Sequence, residues 1–90
     1  MSYKITDYSY KQAKKLNVQI RPSVYKNKKI DVFKNDVKIA SIGSLGYMDY
    51  PQYLEEKGKK TADEHRKRYR LRHKNDIDKG NGFYANKILW

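Results

Sequence analysis

The sequence predicts a small α+β domain in which a β-hairpin or short antiparallel sheet is packed by about three to four short helices. The segment KKIDVFKNDVKIASIG alternates apolar and polar residues on either side of Asn35-Asp36, a pair that suits a two-residue turn. Other segments combine helix-start signals with good helix formers. A chain of 90 residues has room for one thin core, so residues 1–90 are expected to form a single domain.

The first predicted element is a short helix over residues 9–16, which belongs to a basic helix-strand arm spanning residues 1–29. Ser9 and Gln12 have the spacing of a capping box, and Asn17 suits the left-handed conformation that ends many helices. The residues near one face are Tyr10, Ala13 and Leu16. The outer side would carry the lysines Lys11, Lys14 and Lys15.

Two β elements are predicted next. Val18 and Ile20 alternate with polar residues ahead of Pro22, which indicates a short edge strand because proline cannot donate to a central ladder. The hairpin is predicted within residues 29–42, with strands over 29–34 and 37–42.

A short helix is predicted over residues 51–57, because Pro51 suits the first helical position and Gly58 the end. The apolar side chains around it are interpreted as core, with base stacking as the alternative for the tyrosines: Tyr47, Tyr50, Tyr53 and Leu54. The closing GNGFYANKILW predicts a loop and then a plug over residues 83–90 that folds back onto the core. An exposed interaction peptide is the alternative for this segment.

Residues 61–74, TADEHRKRYRLRHK, are predicted to form a helix. Every second residue from 66 to 72 is Arg, which is the period of a strand. However, Thr61 and Glu64 have capping-box spacing, and most of the residues are good helix formers. Favourable i,i+4 ion pairs are also available: Asp63–Lys67 and Glu64–Arg68.

On such a helix Arg66 and Arg70 share one side, while Arg68 and Arg72 share nearly the opposite side. At least one arginine, Arg72 or Arg66, is expected to pair with an acid of the fold. The candidate acids are Asp76, Asp78, Glu55 and Glu56. The remaining arginines are predicted to bind phosphate, because a planar guanidinium can engage two phosphate oxygens at once.

The net charge of +11 is segregated along the chain. Residues 1–29 contain eight Lys or Arg and one acid, and residues 57–74 contain nine and two, whereas residues 30–56 contain two and five. Two basic blocks around an acidic centre indicate positive faces that bind an anionic partner. A solvated basic surface without a partner is the alternative. The candidate nucleic-acid-binding residues are Arg66, Lys67, Arg68, Arg70, Arg72, Lys74, Lys59, Lys60, Lys11, Lys14 and Lys15.

Catalytic chemistry, a metal site and a cofactor are not expected. The chain has no cysteine, and His65 and His73 are eight residues apart with no other evident ligand. It also lacks a phosphate-binding glycine loop and a nucleophile elbow. Tyr69 is interpreted as the core anchor of the arginine-rich helix.

The sequence resembles a family of small, basic, uncharacterised proteins encoded by nucleocytoplasmic large DNA viruses. The resemblance is carried by GSLGYMDYPQYLEEKGK, ADEHRKRYRLRHKND and GFYANKILW, and extends to YSYKQAKKLNVQIRPS and KKIDVFKN. The matching positions are Gly46, Tyr47, Asp49, Tyr50, Arg66, Tyr69, Arg72, His73, Gly82, Phe83, Tyr84, Leu89 and Trp90. Asn17 and Asp36 depart from it, since the family pattern has Gly there. The resemblance implies a viral setting, in the virion or the viral factory of the host cytoplasm, and no catalytic residue.

The leading hypothesis is a viral protein that binds the phosphate backbone of nucleic acid, most favourably duplex DNA, without reading sequence, and so condenses or packages the genome. The alternative is a virion structural or cement protein that docks an acidic capsid or core partner. RNA binding through tyrosine stacking is a third hypothesis. Homodimerisation is a further one, because small proteins often present a flat cationic face as dimers. Neither a secretory leader nor a run of about 18 apolar residues is evident, so secretion and membrane insertion are not expected.

Overall fold

Residues 3–90 form four helices and a three-stranded antiparallel sheet, which confirms the α+β class. The computed structural model describes residues 3–90, so the predicted domain and its basic arm can be compared with it from residue 3 onward. The elements are α1 (Asp7–Lys15), β1 (Gln19–Pro22), β2 (Lys28–Lys34), β3 (Val37–Ser44), α2 (Tyr50–Lys57), α3 (Lys59–Arg72) and α4 (Gly80–Leu89). None of the described helices is both long and apolar enough to span a membrane.

The sheet has the order β1-β2-β3, so β1 is an edge strand as predicted. Asn35 and Asp36 connect β2 to β3 with φ angles of 53° and 64°, the left-handed pair that a type I′ hairpin turn requires. Asn17, with φ 61°, follows α1 in the same region of backbone space. Asn17 and Asp36 are the two positions where glycine was expected, and both adopt a conformation that glycine favours.

The start of α1 differs from the prediction. Thr6 is the N-cap, and its hydroxyl accepts a hydrogen bond from the Ser9 amide. Ser9 is instead fully buried, and its hydroxyl donates to the Ile88 carbonyl at 2.9 Å. This buried contact turns Ser9 and Ala13 inward and leaves Tyr10 half-exposed, so the assignment of Tyr10 to the packed face was wrong.

The core lies between one face of the sheet and the helices. Ile30, Val32 and Ile42 contribute the sheet side, and all three are essentially inaccessible to solvent. Ile88 and Leu89 of α4 are equally buried against them. The predicted C-terminal plug is therefore confirmed, and its interpretation as an exposed peptide is wrong.

Helix α2 begins with a capping box that the sequence analysis did not identify: Asp49 accepts from the Gln52 amide, and the Gln52 side chain accepts from the Asp49 amide. Tyr50 is buried as expected, whereas the Tyr47 side chain is 76% exposed. The assignment of Tyr47 to the core was wrong because Tyr47 lies in the turn before α2, where only its backbone is held. Leu54 is 38% exposed, so it lies at the edge of the core and not within it.

The arginine-rich segment is helical, so the strand alternative is wrong. Helix α3 begins at Lys59, directly after Gly58, whose φ of 91° makes the corner with α2. The expected Thr61–Glu64 capping box is absent because Thr61 already lies within the first turn. The expected i,i+4 pairs do not occur either, since Asp63 pairs with Lys59 at 2.7 Å.

Candidate nucleic-acid interface

Helix α3 presents two separate flanks on either side of its buried stripe. Ala62 is fully buried, and Tyr69 packs against the core about two turns later. With 3.6 residues per turn, this anchoring puts Arg66 and Arg70 on one flank and Arg68 and Arg72 on the other, as the sequence predicted.

Arg66 is part of the fold rather than a free cation. Its guanidinium carbon lies 3.6 Å from the centroid of the Tyr50 ring, and its terminal nitrogen lies 3.8 Å from an Asp63 carboxylate oxygen. Its Nε is buried and has no hydrogen-bond partner among the described residues. Pairing of an arginine with an acid is thus confirmed for Arg66, but the acid is Asp63 and none of the four candidates.

Arg70 joins α3 to α4. Its Nε donates to the Asn86 side-chain oxygen at 3.1 Å, and a terminal nitrogen lies 3.5 Å from the Trp90 main-chain oxygen. The Arg66–Arg70 flank is therefore committed largely to packing and hydrogen bonding within the domain, although Arg70 remains partly accessible.

The other flank is exposed and unpaired. Arg72 was expected to pair with an acid, but no ion pair within residues 3–90 includes it. The nearest candidate, Asp76, instead lies 3.5 Å from His73 Nδ1. Five cations of this region, Arg72 included, are exposed and form no ion pair among the described residues: Lys60, Lys67, Arg68, Arg72 and Lys74.

The lysines of α1 form a second exposed basic group. Tyr8 of α1 packs against Tyr50, with ring centroids 5.5 Å apart, and Tyr50 carries Arg66 on its ring. Lys11 and Lys15 follow Tyr8 at helical spacing and share its side of α1, whereas Lys14 points away. The contact chain Tyr8–Tyr50–Arg66 therefore joins the two basic blocks of the sequence through the fold.

An aromatic cluster lines the inner side of the Arg68–Arg72 flank. Tyr53 and His65 stack at 3.9 Å with an angle of 4° between ring planes, and Tyr69 and Trp90 stack at 4.4 Å and 9°. His73 adjoins Tyr69 at 4.4 Å. The sequence analysis missed the role of His65, although His65, Tyr69 and His73 recur at four-residue spacing and so form one helical stripe.

A cleft of about 620 Å³ separates this aromatic cluster from the turn that precedes α2. The described side chains on its walls include Tyr47, Tyr53, His65, Arg68, Tyr69, Arg72, His73 and Trp90, with Lys29 and Asp49 also lining it. Lys29 and Asp49 are buried and paired at 3.0 Å, so this ion pair is fixed within the fold.

Two observations bear on reactive chemistry at the cleft. Burial raises the pKa of Tyr69, Asp76 adds to this, and Arg72 opposes it, so the phenol is neutral near pH 7. A neutral phenol is the form least suited to act as a nucleophile. Within residues 3–90, no group of three or more His, Asp or Glu side chains is placed to hold a metal ion.

Comparison of the chain with protein-family models, with curated proteins and with solved structures gives no match. The resemblance to the viral family consequently stays a prediction from the sequence. The functional argument rests on the charge and geometry of α3 and its surroundings.

Proposed function

We propose that the protein binds the phosphate backbone of nucleic acid without reading sequence, with duplex DNA as the favoured partner. The observation that carries this proposal is the exposed side of α3, where four cations of the helix and Lys74 just after it have no carboxylate partner in the described chain. Exposed cations on a helix with little apolar surface contribute nothing to its packing, and repel one another unless an anion lies nearby.

The dimensions of α3 suit a polyanion. Its 14 residues span roughly 21 Å, and a DNA duplex carries one charge per roughly 1.7 Å of its axis. The helix therefore covers a length of duplex that contains on the order of 12 phosphates. Arg68 and Arg72 are one turn apart, which allows each guanidinium to reach a different phosphate.

Affinity without sequence preference follows from the composition of α3. Residues 59–72 contain neither Asn nor Gln, the side chains that pair with adenine in the major groove. Arginine can also read guanine, but Arg66 and Arg70 are held by Tyr50 and Asn86, which leaves Arg68 and Arg72 as the arginines of α3 free to contact a nucleic acid. Phosphate contacts should therefore dominate the binding free energy.

The proposal is tested by fluorescence anisotropy with a labelled duplex of about 20 base pairs. The double variant Arg68→Gln/Arg72→Gln should weaken binding about tenfold or more at low salt. The matched control is Lys26→Gln/Lys34→Gln. It removes the same number of charges from exposed positions near the two ends of β2, away from α3 in the sequence. Equal loss in the two variants would show a response to net charge alone and would overturn α3 as the site.

Genome condensation or packaging in a viral setting is the biological role that the sequence resemblance suggests for such binding. Absence of duplex binding, combined with affinity for an acidic virion protein, would favour the structural or cement alternative instead. The variants at Arg68 and Arg72 serve for that measurement too, because the same exposed cations would face an acidic partner.

A further inference from the structure

The cleft beside α3 combines features that a duplex backbone would not use. Its walls are aromatic and its rim is cationic. The turn before α2, which borders the cleft, carries the exposed tyrosine Tyr47. We infer that this cleft binds an unpaired nucleotide of single-stranded nucleic acid, with the base among the aromatic rings and its phosphates at Arg68 and Arg72. The inference goes beyond the proposed backbone binding, with which it shares only these two arginines.

The aromatic wall is built from flat, parallel contacts. Tyr53 stacks on His65, Tyr69 stacks on Trp90, and Trp90 lies 6.2 Å from Tyr53 and so joins the two stacks. Every base has a π-face that can stack on such rings whatever its identity. A continuous wall of rings therefore suits a planar ligand and does not demand a particular base.

Tyr47 supplies a second aromatic surface on the opposite side of the cleft. Its ring has no aromatic partner among residues 3–90 and is mostly exposed. Its backbone is nevertheless fixed, because the buried Lys29 ammonium donates to the Tyr47 carbonyl. An exposed ring on a fixed backbone loses little freedom when it stacks on a ligand.

The charge of the cleft selects an anionic ligand. Arg68 and Arg72 lie on its rim, and the only acidic side chain among its described lining residues is that of Asp49. Asp49 is almost completely buried and accepts from both Lys29 and Tyr3, so it does not oppose an incoming phosphate. A cleft of about 620 Å³ lies within the range of small-ligand sites and has room for a nucleotide.

An unpaired nucleotide fits these walls better than a duplex or an acidic peptide. Bases in a duplex have both faces covered by their neighbours, so stacking on protein rings requires a base that is splayed out. A Glu-rich peptide would satisfy the arginines but would offer no planar group to stack on the exposed Tyr47 ring. The combination of stacked rings and guanidiniums is the one found in single-strand binding sites.

Trp90 is the single tryptophan of the chain and lines the cleft, so its fluorescence reports on occupancy. We would titrate the full chain with single-stranded oligothymidylate and follow Trp90 emission, which base stacking should quench. Tyr47→Ala should weaken oligothymidylate binding roughly tenfold while leaving duplex binding unchanged. The control is Tyr25→Ala, another exposed tyrosine that lies outside the cleft, which should change neither affinity.

The outcomes separate this inference from the proposed function. Single-strand binding that depends on Tyr47 supports the cleft even where the duplex fails to bind. Single-strand binding that is indifferent to Tyr47, or an equal loss for both nucleic acids, overturns the cleft and leaves backbone binding standing. No quenching by oligothymidylate, or equal quenching by an oligoglutamate peptide, also overturns it.

Discussion

The Arg66 guanidinium lies over the Tyr50 ring, with its carbon 3.6 Å from the ring centroid. Asp63 accepts a hydrogen bond from the Tyr50 hydroxyl and forms an ion pair with Arg66 at 3.8 Å. This contact joins α3 to the start of α2. It makes Arg66 a structural residue, in contrast to the exposed arginines on the other flank of the helix. Arg66→Gln should lower the free energy of unfolding by about 1–2 kcal/mol, because a partly desolvated cation–π contact and an ion pair are lost. Urea denaturation measures the change.

Arg68→Gln is the matched variant for Arg66→Gln, since it removes the same group two residues away on the exposed flank. It should change the free energy of unfolding by no more than about 0.5 kcal/mol. Equal destabilisation by the two substitutions would contradict the division of α3 into a packed and an exposed flank.

The stability of the domain should depend strongly on the buried ion pair between Lys29 and Asp49. The Lys29 ammonium donates to Asp49 at 3.0 Å and to the Gln52 side chain at 3.2 Å, while the Tyr3 hydroxyl donates to Asp49 at 2.6 Å. Lys29→Met leaves a buried carboxylate without its cation, which should cost about 3–5 kcal/mol. The exposed pair Lys59–Asp63 supplies the control: Lys59→Met should have little effect.

Asp31 should make the stability of the domain sensitive to acid. Burial alone would raise the pKa of Asp31, but hydrogen bonds from Ser23, Ser41 and the Val24 amide outweigh it, with Lys38 nearby, and hold the pKa below its ordinary value. A carboxyl with a depressed folded-state pKa stabilises the protein above its unfolded pKa, and this contribution is lost as the pH falls through the folded value.

The free energy of unfolding should therefore fall between about pH 5 and pH 2, and less steeply in Asp31→Asn than in the wild type. Denaturation at a series of pH values measures both slopes. Asp36→Asn, in the exposed hairpin turn, removes a carboxylate without a buried hydrogen bond and should keep the wild-type acid dependence. An Asp31→Asn slope equal to the wild-type slope would refute this role of Asp31.

Gly82, in the first turn of α4, is required by close packing against the turn that precedes the helix. A Cβ at this position would overlap the Asp76 carbonyl oxygen and lie 2.9 Å from its carbon. Gly82→Ala should therefore destabilise the domain by about 1–3 kcal/mol through overpacking. Gly46→Ala is the control, because a Cβ there meets nothing within 4 Å. Thermal denaturation of both variants checks this, and an unaffected Gly82→Ala would contradict the observed turn.

Local backbone signals in the sequence were sufficient to predict much of the fold. Asn35-Asp36 predicted the hairpin turn because few residue pairs tolerate two positive φ angles, and Asn17 and Gly58 predicted helix ends for the same reason. Helix propensity correctly outweighed the alternation of arginines in residues 61–74.

Partner choice was harder to predict because it depends on which elements meet in three dimensions. Thr6 caps α1 because Ser9 is needed for the buried bond to Ile88, 79 residues away. Asp63 was expected to pair with Lys67, but contacts with Lys59 and with Tyr50 of α2 fix it elsewhere. The exposed flank of α3 was therefore predictable in outline, and Arg66 was one of the two arginines expected to pair, but its acid partner and the structural role of Arg70 were not predicted.

The most direct test of phosphate binding by α3 is the salt dependence of duplex affinity, measured by anisotropy between about 50 and 200 mM salt. Four unpaired cations on α3 and Lys74 just after it, with the lysines of α1 nearby, predict a slope of log affinity against log salt of roughly −4 to −6. Arg68→Gln/Arg72→Gln should reduce its magnitude by about 2. A slope near zero, or no duplex binding at the lowest salt, would contradict the account.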